Sequence, residues 1–373
     1  MVDRGLPSRR VDGLELSFVA VILGILLIGL LSIYSVTSMT PAKGMPIYFK
    51  QLTWIGVGAL AFLVVASVDY HKWARWSYLL YGLGLVLLLI VMFYGKSSRG
   101  AQRWIPLGPL AIQPSEFIKV PLILILSTYY GTRRRHGWWA RVIVPGLIAL
   151  PGFLLILKQP DLGSSLSFLA IFFTLLLAVG VKSKAFGLVL LSACMLFPFA
   201  WGELWGSLHD YQKERILSFV DPAYDPGGKG YHGLQSRIAI GSGEILGKGL
   251  QGGTQTQFKF LPEGHTDFIF AVFAEEWGFL GALLLLALFL SLLLLGLEIA
   301  SKSKDVLGGL LAVGVVGMLT FAMVINIAMT VGLAPIVGIP LPLMSYGGSA
   351  TVVTMASLGL LMSVKRRRMT LLP

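Results

Sequence analysis

Ten apolar stretches dominate this sequence, at 14–36, 48–67, 75–94, 114–130, 142–158, 161–180, 184–205, 268–298, 307–333 and 345–364. About 20 such residues in helical form cross a hydrocarbon core of about 30 Å. A backbone in lipid must satisfy its own polar groups, and for runs of this kind only helices do so. The chain is 55% apolar and 13% charged. The expectation is therefore an all-α polytopic membrane protein of ten transmembrane helices, one domain over 1–373. The first run lacks a small-residue cleavage site, so it is expected to stay as the first helix. One long connection, 204–266, separates the seventh and eighth runs. It is rich in Gly and Pro, so its backbone must be solvated or lie against protein, and connections of this length are usually functional.

Lys and Arg are unevenly placed. More than half of the 30 fall at the termini and in 68–75, 131–141, 181–184 and 299–305, which an even number of spans puts on one side. The cytoplasmic bias of basic residues makes that side cytoplasmic. Both termini then face inward and the long loop faces outward. Most of the 18 acids lie instead in the outer loops or the outer halves of spans. The net charge of +12 points to an anionic leaflet rather than nucleic acid. The charged outer face implies a charged ligand or chemistry there. Cys194 is the single cysteine, which excludes an intrachain disulfide and a thiolate metal site. Asn326 is the single asparagine, read here as a compositional trait of a warm habitat.

The stretch 261–279, LPEGHTDFIFAVFAEEWGF, sets His265 and Asp267 at the mouth of a span, with Glu275 and Glu276 about two turns further in. Ionisable groups at membrane depth are costly and usually functional. Asp267 is a candidate general base. Thr266 or Asp267 also suits the cap of the eighth helix, and the spacing leaves both readings open.

In QPSEFIK (113–119), Pro114 suits a first helical position, which puts Glu116 and Lys119 one turn apart on one face. A helical ion pair adds only ~0.2–0.5 kcal/mol in water and costs desolvation in a membrane. The pair is therefore read as functional, Lys119 for a phosphate and Glu116 to position it. KQPDLGSS (158–165) forms a tight external turn in which Asp161 caps the sixth helix, on the same side as Glu116 and Asp267. The long loop carries DPAYDPGG (221–228), Tyr231, Gln235, Ser236 and GSGEILGKG (241–249). The last segment fails as a phosphate loop, lacking the first glycine and the Ser/Thr after the lysine. A Gly-rich backbone nest with Lys248 remains. GIPLPLMSYGGS (338–349) indicates irregular backbone lining a cavity or a packed helix start.

These motifs occur together, each in its place along the chain: HTDFIFAVFAEEWG, QPSEFIK, KQPDLGSS, DPAYDPGGKGYHGLQS with GSGEILGKG, and GIPLPLMSYGGS. The set resembles the SEDS family (shape, elongation, division and sporulation proteins), over nearly the whole chain. GIPLP before SYGG and AEEWG after HTDFIFAVF are similar to its rod-shape-determining branch rather than its division branch. The resemblance implies a peptidoglycan glycosyltransferase of ten spans with a large fourth external loop. It would polymerise lipid II at the outer face of the bacterial cytoplasmic membrane. A class B penicillin-binding protein and other elongation-complex membrane proteins are the implied partners. The family's critical aspartate falls on Asp267, its cavity-lining Glu and Lys on Glu116 and Lys119, and its turn aspartate on Asp161.

That chemistry gives the residues roles. A β(1→4) glycan made from an α-linked donor requires inversion, hence one in-line displacement of undecaprenyl pyrophosphate. A base must take the attacking hydroxyl's proton, and cations must stabilise the leaving group. Asp267 is the expected base. Lys119, Arg103 and Arg215 are the expected pyrophosphate contacts. His265, Gln235, Ser236, Lys248, Ser345 and Tyr346 complete the candidate substrate-binding set. A divalent cation such as Mg or Mn held by Asp or Glu could share the leaving-group role, though no ligand spacing establishes one. A lipid II flippase and a scaffold that activates its partner synthase are the competing readings. A flippase would need charges reaching the cytoplasmic half, whereas the acids here cluster at the outer end.

Overall fold

The computed structural model describes residues 13–38, 45–98, 101–107, 110–132, 137–180, 206, 213, 217–219, 229–258, 260, 261 and 263–368. Its first helices are α1 (Gly13–Ser38), α2 (Ile47–Ser67), α3 (Tyr70–Arg75) and α4 (Ser77–Tyr94). After three short strands come α5 (Pro114–Phe117), α6 (Lys119–Thr132), α7 (Trp138–Lys158) and α8 (Leu162–Ala178). The second half holds α9 (Lys229–Ser242), α10 (Thr254–Gln257), α11 (Ile269–Ser301), α12 (Val306–Val331) and α13 (Gly348–Arg368). Seven of these, α1, α2, α4, α7, α11, α12 and α13, are long and apolar enough to cross a membrane, and α8 is a shorter apolar helix. The chain is a multi-pass helical membrane protein. The seventh expected span, 184–205, lies outside the described residues, as do Cys194 and Arg215.

Two expected spans differ in detail. The third, 75–94, begins only after Trp76, which ends a separate short helix, α3, whose start Asp69 caps by accepting from the His71 backbone N–H. The fourth, 114–130, is interrupted at Ile118. Pro121 explains the break, since it lacks an N–H and its ring crowds the Phe117 carbonyl four residues back.

The all-α expectation also misses a small sheet. Strands β1 (Lys96–Ser98), β2 (Ala101–Leu107) and β3 (Leu110–Ile112) pair antiparallel in the order β1-β2-β3. Ile105 faces Ile112 and Leu107 faces Leu110. β1 and β3 have three residues each, and β2 (AQRWIPL) lacks strict apolar–polar alternation and carries Pro106, so none stands out in the sequence.

Helix α13 is buried nearly throughout, packed on α2 and flanked by α12, which in turn contacts α6, α8 and α11. Leu23 and Leu27 of α1, Leu79 and Leu83 of α4, and Leu147 and Leu154 of α7 point outward. An apolar exterior of that extent suits lipid rather than water. At the end formed by the start of α12 and the end of α13, Asp305 caps α12 through the Gly308 N–H. Asp305 also accepts from Tyr70 Oη at 3.0 Å and pairs with His71 Nε2 at 2.7 Å. Arg367 pairs with Asp69 at 3.3 Å. The candidate site occupies the other end of these helices.

Candidate active site

Asp267 does not cap its helix. Residues 263–268 form turns, α11 starts at Ile269, and Phe268 occupies the cap position without a side-chain bond. The turn is fastened instead to the segment before α13. Ser345 Oγ donates to the Thr266 carbonyl at 2.7 Å and accepts from the Leu341 N–H at 2.8 Å. The Tyr346 N–H donates to the His265 carbonyl at 2.9 Å, and the two rings lie 5.8 Å apart. Asn326, fully buried in α12, donates from Nδ2 to the carbonyls of Asp267 (3.0 Å) and Ile339 (2.8 Å). Between them lies Gly338, at φ +75°, where an added Cβ would stand 3.5 Å from Asp267 Oδ2. The Asp267 carboxylate is half-buried against that glycine.

A second corner forms around Asp161. It caps α8 by accepting from the Ser164 N–H at 3.2 Å through Oδ1. Its Oδ2 accepts from Ser115 Oγ and Gln113 Nε2, each at 2.9 Å. Arg103, carried by β2, donates to the carbonyls of Gln159 (3.0 Å) and Pro160, and lies 3.9 Å from Asp161. The unforeseen sheet thus clamps this turn with Arg103 from β2 and Gln113 from just beyond β3. The corner abuts the first, since a Cβ at Gly163 would meet Ile339 Cγ1 at 2.9 Å and the Val337 carbonyl at 3.1 Å.

Glu116 and Lys119 face the same segment. They pair at 2.6 Å, both buried, with Ser164 Oγ 3.4 Å from Glu116 Oε1. They line a narrow cleft whose other walls include Ile339 to Leu343, Ser345, Leu319 and Thr354. An ammonium has three donors, so pairing with Glu116 leaves Lys119 with others to offer a ligand. Segment 337–345 is therefore the common wall of three motifs that lie far apart in sequence.

Lys248 goes elsewhere. Its Nζ lies 2.8 Å from Glu275 Oε1 and donates to Ser242 Oγ (2.7 Å) and Thr254 Oγ1 (2.9 Å). Glu275 Oε1 also accepts the Gln255 N–H, while Glu276 accepts from Ser35 Oγ and from the Gln251 N–H. Helix α11 kinks at Gly278 (φ +64°), and segment 244–249 fills the break. The Lys248 and Gly249 N–H groups donate to the Glu275 and Glu276 carbonyls, while those of Phe279 and Leu280 donate to the carbonyls of Glu244 and Ile245. The Gly-rich stretch is a backbone splice into a kinked helix. Ser236 likewise ties α9 to the end of α12, donating to the Thr330 carbonyl at 2.8 Å, with Gln235 half-buried beside it.

The FtsW/RodA/SpoVE family model, described as "Cell cycle protein", matches residues 15–370. The chain belongs to this family, the SEDS proteins. Among SEDS relatives, the peptidoglycan glycosyltransferase MrdB of Escherichia coli (strain K12) is 40% identical over 347 residues, 91% of each chain. Two solved structures align over 95% of this chain. One, from work on the structural coordination of polymerization and crosslinking by a peptidoglycan synthase complex, is 32% identical, with TM-score 0.81 over 98% of that chain. The other, rod shape determining protein RodA of Thermus thermophilus, is 28% identical, with TM-score 0.70 over 97% of that chain.

For this SEDS chain, the expected residues separate into three settings. Asp267, His265, Ser345 and Tyr346 share one junction. Glu116, Lys119, Asp161 and Arg103 share the adjoining one, in which Arg103 grips backbone carbonyls. Lys248, Gln235 and Ser236 belong to the loop's attachments. Among the described residues no three His, Cys, Asp or Glu side chains converge as metal ligands do. The divalent-cation expectation finds no protein ligand set there. Asn326 was missed. Its signal was available, because a lone asparagine in a 26-residue apolar helix is the kind of intramembrane polar group that has a structural or functional reason.

Proposed function

We propose that this chain is a peptidoglycan glycosyltransferase that polymerises lipid II at the outer face of the bacterial cytoplasmic membrane, for cell elongation and shape. The reading is supported by family membership and by the similarity to MrdB across 91% of both chains. The observation that carries the mechanism is segment 337–345, which meets Asp267 on one side and walls the Glu116–Lys119 cleft on the other.

Asp267 takes the proton of the acceptor's 4-hydroxyl as that oxygen attacks the donor's anomeric carbon. The bond to undecaprenyl pyrophosphate breaks in the same inverting step, and Lys119 stabilises the departing charge. Glu116 orients the ammonium. The corner at Asp161 holds the cleft's edge, with Arg103 as its brace. Arg215, outside the described residues, remains a candidate for the leaving group. The proposed topology is a single domain of ten spans over 1–373, with cytoplasmic termini and 204–266 as the outer loop. A class B penicillin-binding protein is the proposed partner. The structure similar to this chain comes from a complex that couples polymerization to crosslinking.

The test compares two activities of the purified protein, with and without a class B partner: glycan polymer formed from lipid II, and lipid II transfer across vesicles. Polymer with no transfer supports the glycosyltransferase. Transfer without polymer would establish the flippase instead.

A further inference from the structure

Asn326 is fully buried in an apolar helix, and its Nδ2 bridges two carbonyls that α12 does not need for its own ladder. Its Oδ1 is buried without a partner among the described residues. A buried amide with half its capacity unmet is costly, and a leucine would fill the same space without that cost. The two carbonyls are informative. One is Asp267's own. The other belongs to Ile339, next to Gly338, against which Asp267 Oδ2 lies. Neither segment is helical at these points; Ser345 and Tyr346 hold the turn at Thr266 and His265, and Asn326 adds a tie at Asp267 itself.

We infer that Asn326 is a positioning residue for the reaction. It ties the carbonyl of Asp267 to that of Ile339, the neighbour of the glycine against which the Asp267 carboxylate lies, and so holds the base in register with the cleft wall. The inference rests on the assignment of Asp267 as base. Misplacing a catalytic group by about 1 Å can cost about 100-fold in rate. Removal of the clamp should therefore act on turnover rather than on lipid II recognition.

The experiment measures kcat and KM for lipid II polymerisation in four proteins: wild type, Asn326→Leu, Asp267→Asn and the double variant, each checked for monodispersity and partner binding. The expected result is a kcat about 10- to 100-fold lower for Asn326→Leu, with KM nearly unchanged. In the Asp267→Asn background the same change should cost nothing further. A merely structural role would instead lower the residual rate of Asp267→Asn as well, and that outcome overturns the inference. So does a wild-type kcat in folded Asn326→Leu. Should that variant not fold, Gly338→Ala carries the test with the same expectations, because it disturbs the contact with the Asp267 carboxylate directly. Full activity in Asp267→Asn would defeat the base assignment itself, a different result from either of these.

Discussion

Lys248 Nζ stands 2.8 Å from Oε1 of Glu275, a carboxylate with no solvent exposure, 27 positions further along the chain. The pair joins segment 242–258 to the interior of α11. Removing one partner of a buried ion pair typically costs about 3–5 kcal/mol. Lys248 is itself partly exposed, so the lower part of that range is expected here. Lys248→Met should lower the thermal midpoint and open 242–258 to proteolysis, with polymerisation failing only as the fold does. Thermal unfolding and limited proteolysis check this. Unchanged stability with a raised KM for lipid II would return Lys248 to the substrate site.

Gly278 and Gly247 approach each other through their backbones. A Cβ on Gly278 would lie 2.3 Å from the Gly247 nitrogen, and Gly278 also sits at φ +64°. Backbone strain of that kind costs about 1–3 kcal/mol before any clash is counted. Gly278→Ala should destabilise by more than that and release the loop. The readout is the same proteolysis, and wild-type resistance to cleavage in the variant is the contrary result.

Glu116 and Lys119 should show strong coupling. Each single substitution leaves a buried charge without its partner, at about 3–5 kcal/mol. Replacing both with neutral groups should recover much of that stability. Lys119→Met/Glu116→Gln should therefore be more stable than Lys119→Met alone, yet still fail to polymerise. A double-mutant cycle on thermal stability, run beside the polymer assay, separates the two effects. Recovered activity in the double variant would remove Lys119 from the chemistry.

Arg103 should behave as a brace. Its guanidinium grips two carbonyls at the 159–160 turn, so Arg103→Lys, which loses the fork geometry, should lower stability and kcat. KM should change little. A large rise in KM with unaltered stability would instead make it a pyrophosphate contact.

Much of this was legible in the sequence. Apolar length alone marks the membrane helices, and Asp161 announces itself as a cap because a short carboxylate opens a helix after a turn. Glu116 and Lys119 follow from one-turn spacing. What was hidden depends on long-range contact. Asn326 reaches across 59 positions to Asp267, and no local pattern encodes that reach. The splice at Gly278 needs two backbones to meet, which the isolated motif GSGEILGKG suggests only as a nest. The sheet is not legible because two of its strands have three residues and the third, AQRWIPL, neither alternates strictly nor excludes proline, and it is the sheet that brings Arg103 to the Asp161 turn. The cap reading of Asp267 fails for a physical reason as well: the turn before α11 is tied down by Ser345 and Asn326, so the cap falls on Phe268 and the helix starts at Ile269.

The most direct measurement is the polymerisation rate of Asp267→Asn, at saturating lipid II and in the presence of the proposed partner, a class B penicillin-binding protein. General-base catalysis contributes about 10²- to 10⁴-fold. The expected result is a folded, partner-bound protein whose rate falls by at least that lower bound, with lipid II binding retained. A rate within a few-fold of wild type would contradict the assignment of Asp267 and leave the base to be sought elsewhere in the cleft.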